Sequence, residues 1–134
     1  MNRKKQRNQI LLLSYEKTFH DDPVPEIINL ACEARDMETD EFINSSVNGI
    51  FDHLSVIDEK INENLIGWKI NRVSRVSLSI LRIAVYEMLF CEDIPVSVSI
   101  NEAVELAKEY CGDEDPSYIN GVLGSISKSI NQNG

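Results

Sequence analysis

Apolar residues recur at three- and four-residue steps through residues 10–130, and only Val96-Ser97-Val98 alternates at all. That spacing puts apolar side chains on one stripe of a helix, so the chain is expected to be all-α. The first helix is predicted to start at residues 3–5 and to end near residue 19, with Ile10, Leu11, Leu13 and Ser14 turned inward. Pro23 and Pro25 break the chain, and a short helix follows through Ile27, Leu30, Ala31 and Ala34. Thr39 is the expected N-cap of the next helix, with Asp40 and Glu41 in its first turn. Phe42 or Ile43, then Val47, Ile50, Leu54, Ile57, Ile61 and Leu65 make one apolar seam. The seam predicts a single helix of about 25 residues. Gly67 is the expected stop, and Trp68 the anchor of the turn between halves.

Residues 73–90 are apolar nearly all round, with Val73, Val76, Ile80, Ile83, Ala84 and Met88 on one face and Leu78, Leu81, Val85 and Leu89 on another. A helix of that kind belongs inside a bundle. Arg82 and Glu87 interrupt it and are each expected to be the inner end of an ion pair. After Pro95, Ser99 and Glu102 have the spacing of a capping box, with Val98 and Ala103 placed as a hydrophobic staple. That gives Asn101 and Glu102 a structural reason rather than a catalytic one. Gly112 closes this helix, Asp115 and Pro116 start another, and Ile119, Val122, Leu123, Ile126 and Ile130 form its stripe. The pattern predicts a compact bundle of about six to seven helices in one domain. Two sub-bundles are expected, over about residues 3–66 and 69–131.

A length of 134 residues with 43% hydrophobic content suits one domain with a proper core. No run approaches the roughly 18 apolar residues of a membrane span, and the start lacks a signal-peptide pattern. No membrane association and a cytoplasmic location are therefore expected. Cys32, Cys91 and Cys111 include no CxxC, which fits packing residues in a reducing compartment. His20 and His53 have no nucleophile or ligand pattern beside them, and INGVLGS lacks the P-loop lysine. Asp113-Glu114-Asp115 lacks the spacing of an EF-hand. Neither catalysis nor a cofactor or metal is expected.

The net charge of −9 argues against nucleic acid as a single number, but its distribution changes the picture. Arg3, Lys4, Lys5 and Arg7 occupy residues 1–15 with no acid among them, and Lys69, Arg72, Arg75 and Arg82 face only Glu87 in residues 67–90. If these stretches met they would form a local anion-binding surface. A cation-rich helix start opposes the helix dipole, so helix stability does not explain it. A solubilising, frayed terminus is the plainer account. Tyr118 similarly reads as a core-edge ring or as a platform for an unpaired base.

Three segments carry more information together than any carries alone: ILRIAVYEM, IPVSVSINEAVELAKEY and YINGVL. Their order and spacing resemble the C-terminal half of the NusB transcription antitermination factor family, with thinner similarity reaching the N-terminus. The resemblance implies an all-helical regulator that binds single-stranded boxA RNA in nascent ribosomal transcripts. It implies ribosomal protein NusE as direct partner, and RNA polymerase and other Nus factors as indirect ones. By residue, it implies RNA contacts from Arg3, Lys4, Lys5, Arg7, Arg82, Glu114 and Tyr118, and a NusE face including Tyr15 and Ser77. Ser77 stands where the family generally has an acid, and Gln6 and Ile10 where it usually has small alanines. The other reading is a helical protein-interaction or dimerisation module with little RNA affinity, and a homodimer without the partner is compatible with both. The NusB-like domain of an RNA cytosine methyltransferase is disfavoured, because the sequence ends at Gly134 without a catalytic domain.

Overall fold

The computed structural model describes residues 1–65, 67 and 70–133, the side chains of 71, 132 and 133 excepted. Trp68, the expected anchor between halves, and Lys69 lie outside the described residues. The fold is all-α. It comprises α1 (Arg3–Lys17), α2 (Val24–Arg35), α3 (Glu41–Asp52), α4 (Leu54–Asn64), α5 (Arg75–Phe90), α6 (Val96–Tyr110) and α7 (Asp115–Asn133), with a 3-10 turn at Ile70–Arg72. Two compact units result, Met1–Asp52 and His53–Gly134.

In the first unit α1 packs on α3 and α2. Ile10, Leu11 and Leu13 are buried with Ile27, Ala31, Ile43, Val47 and Ile50. The Asn2 side chain caps α1 by accepting the Lys5 N–H at 2.8 Å. Helix α2 starts on Pro23 with Pro25 in its first turn, where a missing N–H costs nothing. It ends at Asp36, whose φ of 52° is the left-handed conformation that a short polar side chain tolerates. The cap of α3 is Asp40 rather than Thr39: its Oδ1 accepts the Ile43 N–H at 2.9 Å, one residue later than the sequence suggested.

In the second unit α5 touches α4, α6 and α7, the several-sided burial that its all-round apolar surface requires. Ile80, Leu81, Ile83, Ala84 and Val85 are all buried. The stripe of α7 is likewise buried at Ile119, Val122, Leu123 and Ile126. Gly67 has φ of 75°, a left-handed conformation that glycine adopts without steric cost.

Two further expectations are corrected. The single long helix of residues 41–65 is two helices, broken at His53 (φ −115°, ψ 24°), and the division between units falls there instead of near residue 66. The seam residues Ile43, Val47, Ile50, Ile57 and Ile61 are buried as expected, so the apolar pattern runs through the break without registering it. His53 instead stacks on Phe90 at 4.2 Å between ring centroids, a tertiary contact that periodicity does not encode. The capping box of α6 also fails. Helix α6 begins four residues earlier, capped at Pro95 rather than Ser99, with the Pro95 carbonyl accepting the Val98 and Ser99 N–H groups. Ser99 is buried inside the helix and donates its hydroxyl to Glu87 Oε1 at 2.7 Å. A cap would use the Ser99 oxygen as an acceptor at a helix end, whereas inside the helix its hydroxyl is the donor that a buried carboxylate needs.

Candidate nucleic-acid interface

The basic start of the chain is a fixed surface. Arg3, Lys4 and Lys5 are exposed on the first turn of the capped helix α1. Arg3 lies over the Phe42 ring, its guanidinium carbon 3.5 Å from the centroid. Arg3 Nη1 donates to Gln6 Oε1 at 2.8 Å, and Gln6 Nε2 donates to Asp40 Oδ2 at 2.8 Å. Asp40 is held below the usual carboxylate range, first by the Ile43 N–H, then by the Gln6 amide, with the N-terminal and Arg3 charges assisting and burial opposing. The large Gln6 side chain therefore ties the start of α1 to the start of α3. Arg7 differs from its neighbours: only 4% of it is exposed, so the face it shares with Arg3 runs from the surface into the interior.

Tyr15 is half-buried and meets Phe19 edge-on, with ring centroids 5.0 Å apart and planes at 79°. Phe19 itself is exposed, which leaves an aromatic pair at the end of α1. Lys17 stands 5.6 Å from the Phe51 ring on the same helix end.

In the second unit a groove of about 580 Å³ is lined by Arg72, Ser74, Ser77, Glu114, Ser117 and Tyr118 among others. It brings together Glu114 and Tyr118, expected at RNA, and Ser77, expected at the protein partner. Ser77 is buried, with its hydroxyl 3.6 Å from Cys111 Sγ. Burial pushes the Cys111 thiol up, partly offset by this contact with Ser77. Tyr118 is half-buried rather than exposed, its hydroxyl lies inside, and burial pushes the phenol above its ordinary value. Tyr118 thus lines the groove as a half-buried ring. Arg72 is the residue sequence reasoning left unassigned: it counted as basic charge, and only the fold shows it on this groove.

Arg82 forms a two-pronged ion pair with Asp58, Nε to Oδ1 and Nη2 to Oδ2, both at 2.9 Å. Its side chain is 11% exposed, so the pair expected for a charge on a buried helix is present. Among the described residues no cluster of three or more His, Cys, Asp or Glu could hold a metal, and no helix is long and apolar enough to cross a membrane.

Comparison with known proteins agrees with this architecture. The NusB family model matches residues 4–128. The transcription antitermination protein NusB of Clostridium novyi is 46% identical, the match covering 96% of this chain and all of that one. The NusB of Bacillus subtilis is 39% identical over 98% of this chain and 99% of its own. Among solved structures, T. maritima NusB superposes with a TM-score of 0.83 at 33% identity, covering 96% of this chain and 92% of that one. A structure of antitermination factors NusB and NusE in complex with double-stranded RNA has the same fold, with a TM-score of 0.83 at 24% identity over 95% of this chain and 96% of that one. Helix order, the three C-terminal motifs and nearly full-length similarity agree, and the chain belongs to the NusB family.

Proposed function

We propose that this protein is a transcription antitermination factor that binds boxA-type single-stranded RNA together with NusE and so helps RNA polymerase continue elongating. Its mechanism is recognition and tethering in the cytoplasm, with no bond made or broken. Family membership supports the class of function, since the relatives are transcription antitermination proteins. The observation that carries the RNA reading is the docked start of α1. Three exposed cations sit on a capped helix tied down by Gln6, Asp40 and Phe42, which is a poor description of a frayed, solubilising tail. Each fixed cation near a phosphate releases counterions, and its position costs little further ordering. The groove with Arg72, Glu114 and Tyr118 supplies polar and aromatic edges suited to unpaired bases. For the protein partner, the aromatic pair Tyr15 and Phe19 offers an apolar, partly exposed contact.

A gel shift with boxA-like RNA, with and without NusE, tests this reading. Binding of the RNA, tightened by NusE, is expected. Calorimetry should show association with NusE at ~30 µM, about −6 kcal/mol, and Tyr15→Ala should weaken it without changing the helical circular dichroism. Absence of RNA binding in both conditions would leave a protein-interaction module, and sedimentation would then show whether the chain pairs with itself.

A further inference from the structure

We propose that Arg3 and Phe42 form a stacking platform for an unpaired nucleobase, an inference that rests on the RNA-binding reading above. The guanidinium carbon stands 3.5 Å from the Phe42 centroid. That is the thickness of two stacked planar groups, so the three guanidinium nitrogens fit only if the group lies flat on the ring. Flat stacking covers one guanidinium face with Phe42. Arg3 is nevertheless an exposed residue, so the stack does not bury it.

The plane is held from its edge as well. Nη1 donates to Gln6 Oε1, and the Gln6 amide is itself anchored on Asp40, which caps α3. Gln6 is 8% exposed, so water competes poorly for this relay. A surface arginine ordinarily loses rotamer freedom when it binds a ligand, whereas here most of that freedom is already lost in the folded protein. One of the five guanidinium donors is committed to Gln6, which holds the plane without consuming its charge. A flat, cationic plane suits the π-face of a base. In a duplex that face is covered by neighbouring bases, so the platform favours single strands. Lys4 and Lys5, exposed beside it, can take the flanking phosphates.

The test uses the full chain with NusE and fluorescence anisotropy on boxA-like RNA carrying one abasic nucleotide at a time. Arg3→Lys keeps the charge and removes the plane. It should bind about fivefold more weakly with an unchanged salt slope. At one RNA position the abasic substitution should weaken the wild type yet cost Arg3→Lys nothing further. Phe42→Leu, checked for an unchanged helical signal, should reproduce that pattern. Arg3→Lys binding as tightly as wild type, or abasic losses that add to it at every position, would overturn the platform while leaving RNA binding intact. Failure of the wild type to bind any of these RNAs would remove the functional reading and the platform with it.

Discussion

Asp58 engages Arg82 with both carboxylate oxygens, so a cation on the central helix α5 is neutralised from α4 before any ligand arrives. The pair is only partly exposed, at 11% for Arg82 and 26% for Asp58. Arg82→Ala should therefore lower unfolding stability by about 1–3 kcal/mol, the range for hydrogen bonds to charged groups. Arg82→Lys should recover only part of this, because an ammonium cannot reproduce the two parallel bonds. Urea titration of both single variants and of the double Ala variant measures the pair, and strict additivity would mean the two residues act independently.

Ser99→Ala should be more damaging than a serine-to-alanine change inside a helix usually is. The helix itself gains from alanine, but the buried Glu87 carboxylate loses a donor at 2.7 Å. A net loss of about 1–3 kcal/mol is expected, read by chemical denaturation. Ser99→Thr, which retains the hydroxyl, should lose less. A Ser99→Ala protein as stable as wild type would show that the hydroxyl contributes nothing net to holding Glu87.

Acid should weaken the link between α1 and α3. Asp40 has a depressed pKa in the folded protein, chiefly from the Ile43 N–H and then from Gln6. The unfolded chain thus binds its proton more readily. The resulting stability is fully present above the ordinary aspartate range and is lost as pH falls through the lower, folded value. Asp40→Asn should remove this component. Plotted against pH, the difference in urea midpoint between wild type and Asp40→Asn should narrow on acidification, and a constant difference would refute the linkage.

RNA binding should separate into charge and stacking contributions. Changing Lys4 and Lys5 together to Gln should weaken all RNA sequences and flatten the plot of log K against log salt. About four neutralised phosphates give a slope of roughly −3 for a single strand, and each lost contact removes about 0.7. Tyr118→Ala should lower affinity with little change in slope, since stacking releases no counterions. Arg82→Gln should also change the slope little, because Asp58 already neutralises it. An Arg82→Gln slope change as large as that of a lysine would mean the ion pair opens on binding.

Local chemistry made much of this protein legible without a structure. The apolar stripes of α1, α5 and α7 named their buried residues, because burial of one helical face is written directly in three- and four-residue spacing. Gly67 was legible as a stop because only glycine takes its backbone angle at no steric cost. The three C-terminal motifs pointed to the family whose model covers residues 4–128. What the sequence left open were choices between partners distant along the chain. Ser99 had a good local use as a cap and a better distant one in Glu87. The seam through residues 41–65 was compatible with one helix or two, and the stacking of His53 on Phe90 accompanies the break. Arg3, Lys4, Lys5 and Arg7 looked alike as charges, yet Arg7 is buried, Arg3 is stacked and only the two lysines stand as plain cations. Such distinctions come from side chains meeting across 12 positions, as Ser99 meets Glu87, or 34, as Gln6 meets Asp40, and periodicity carries no information at that range.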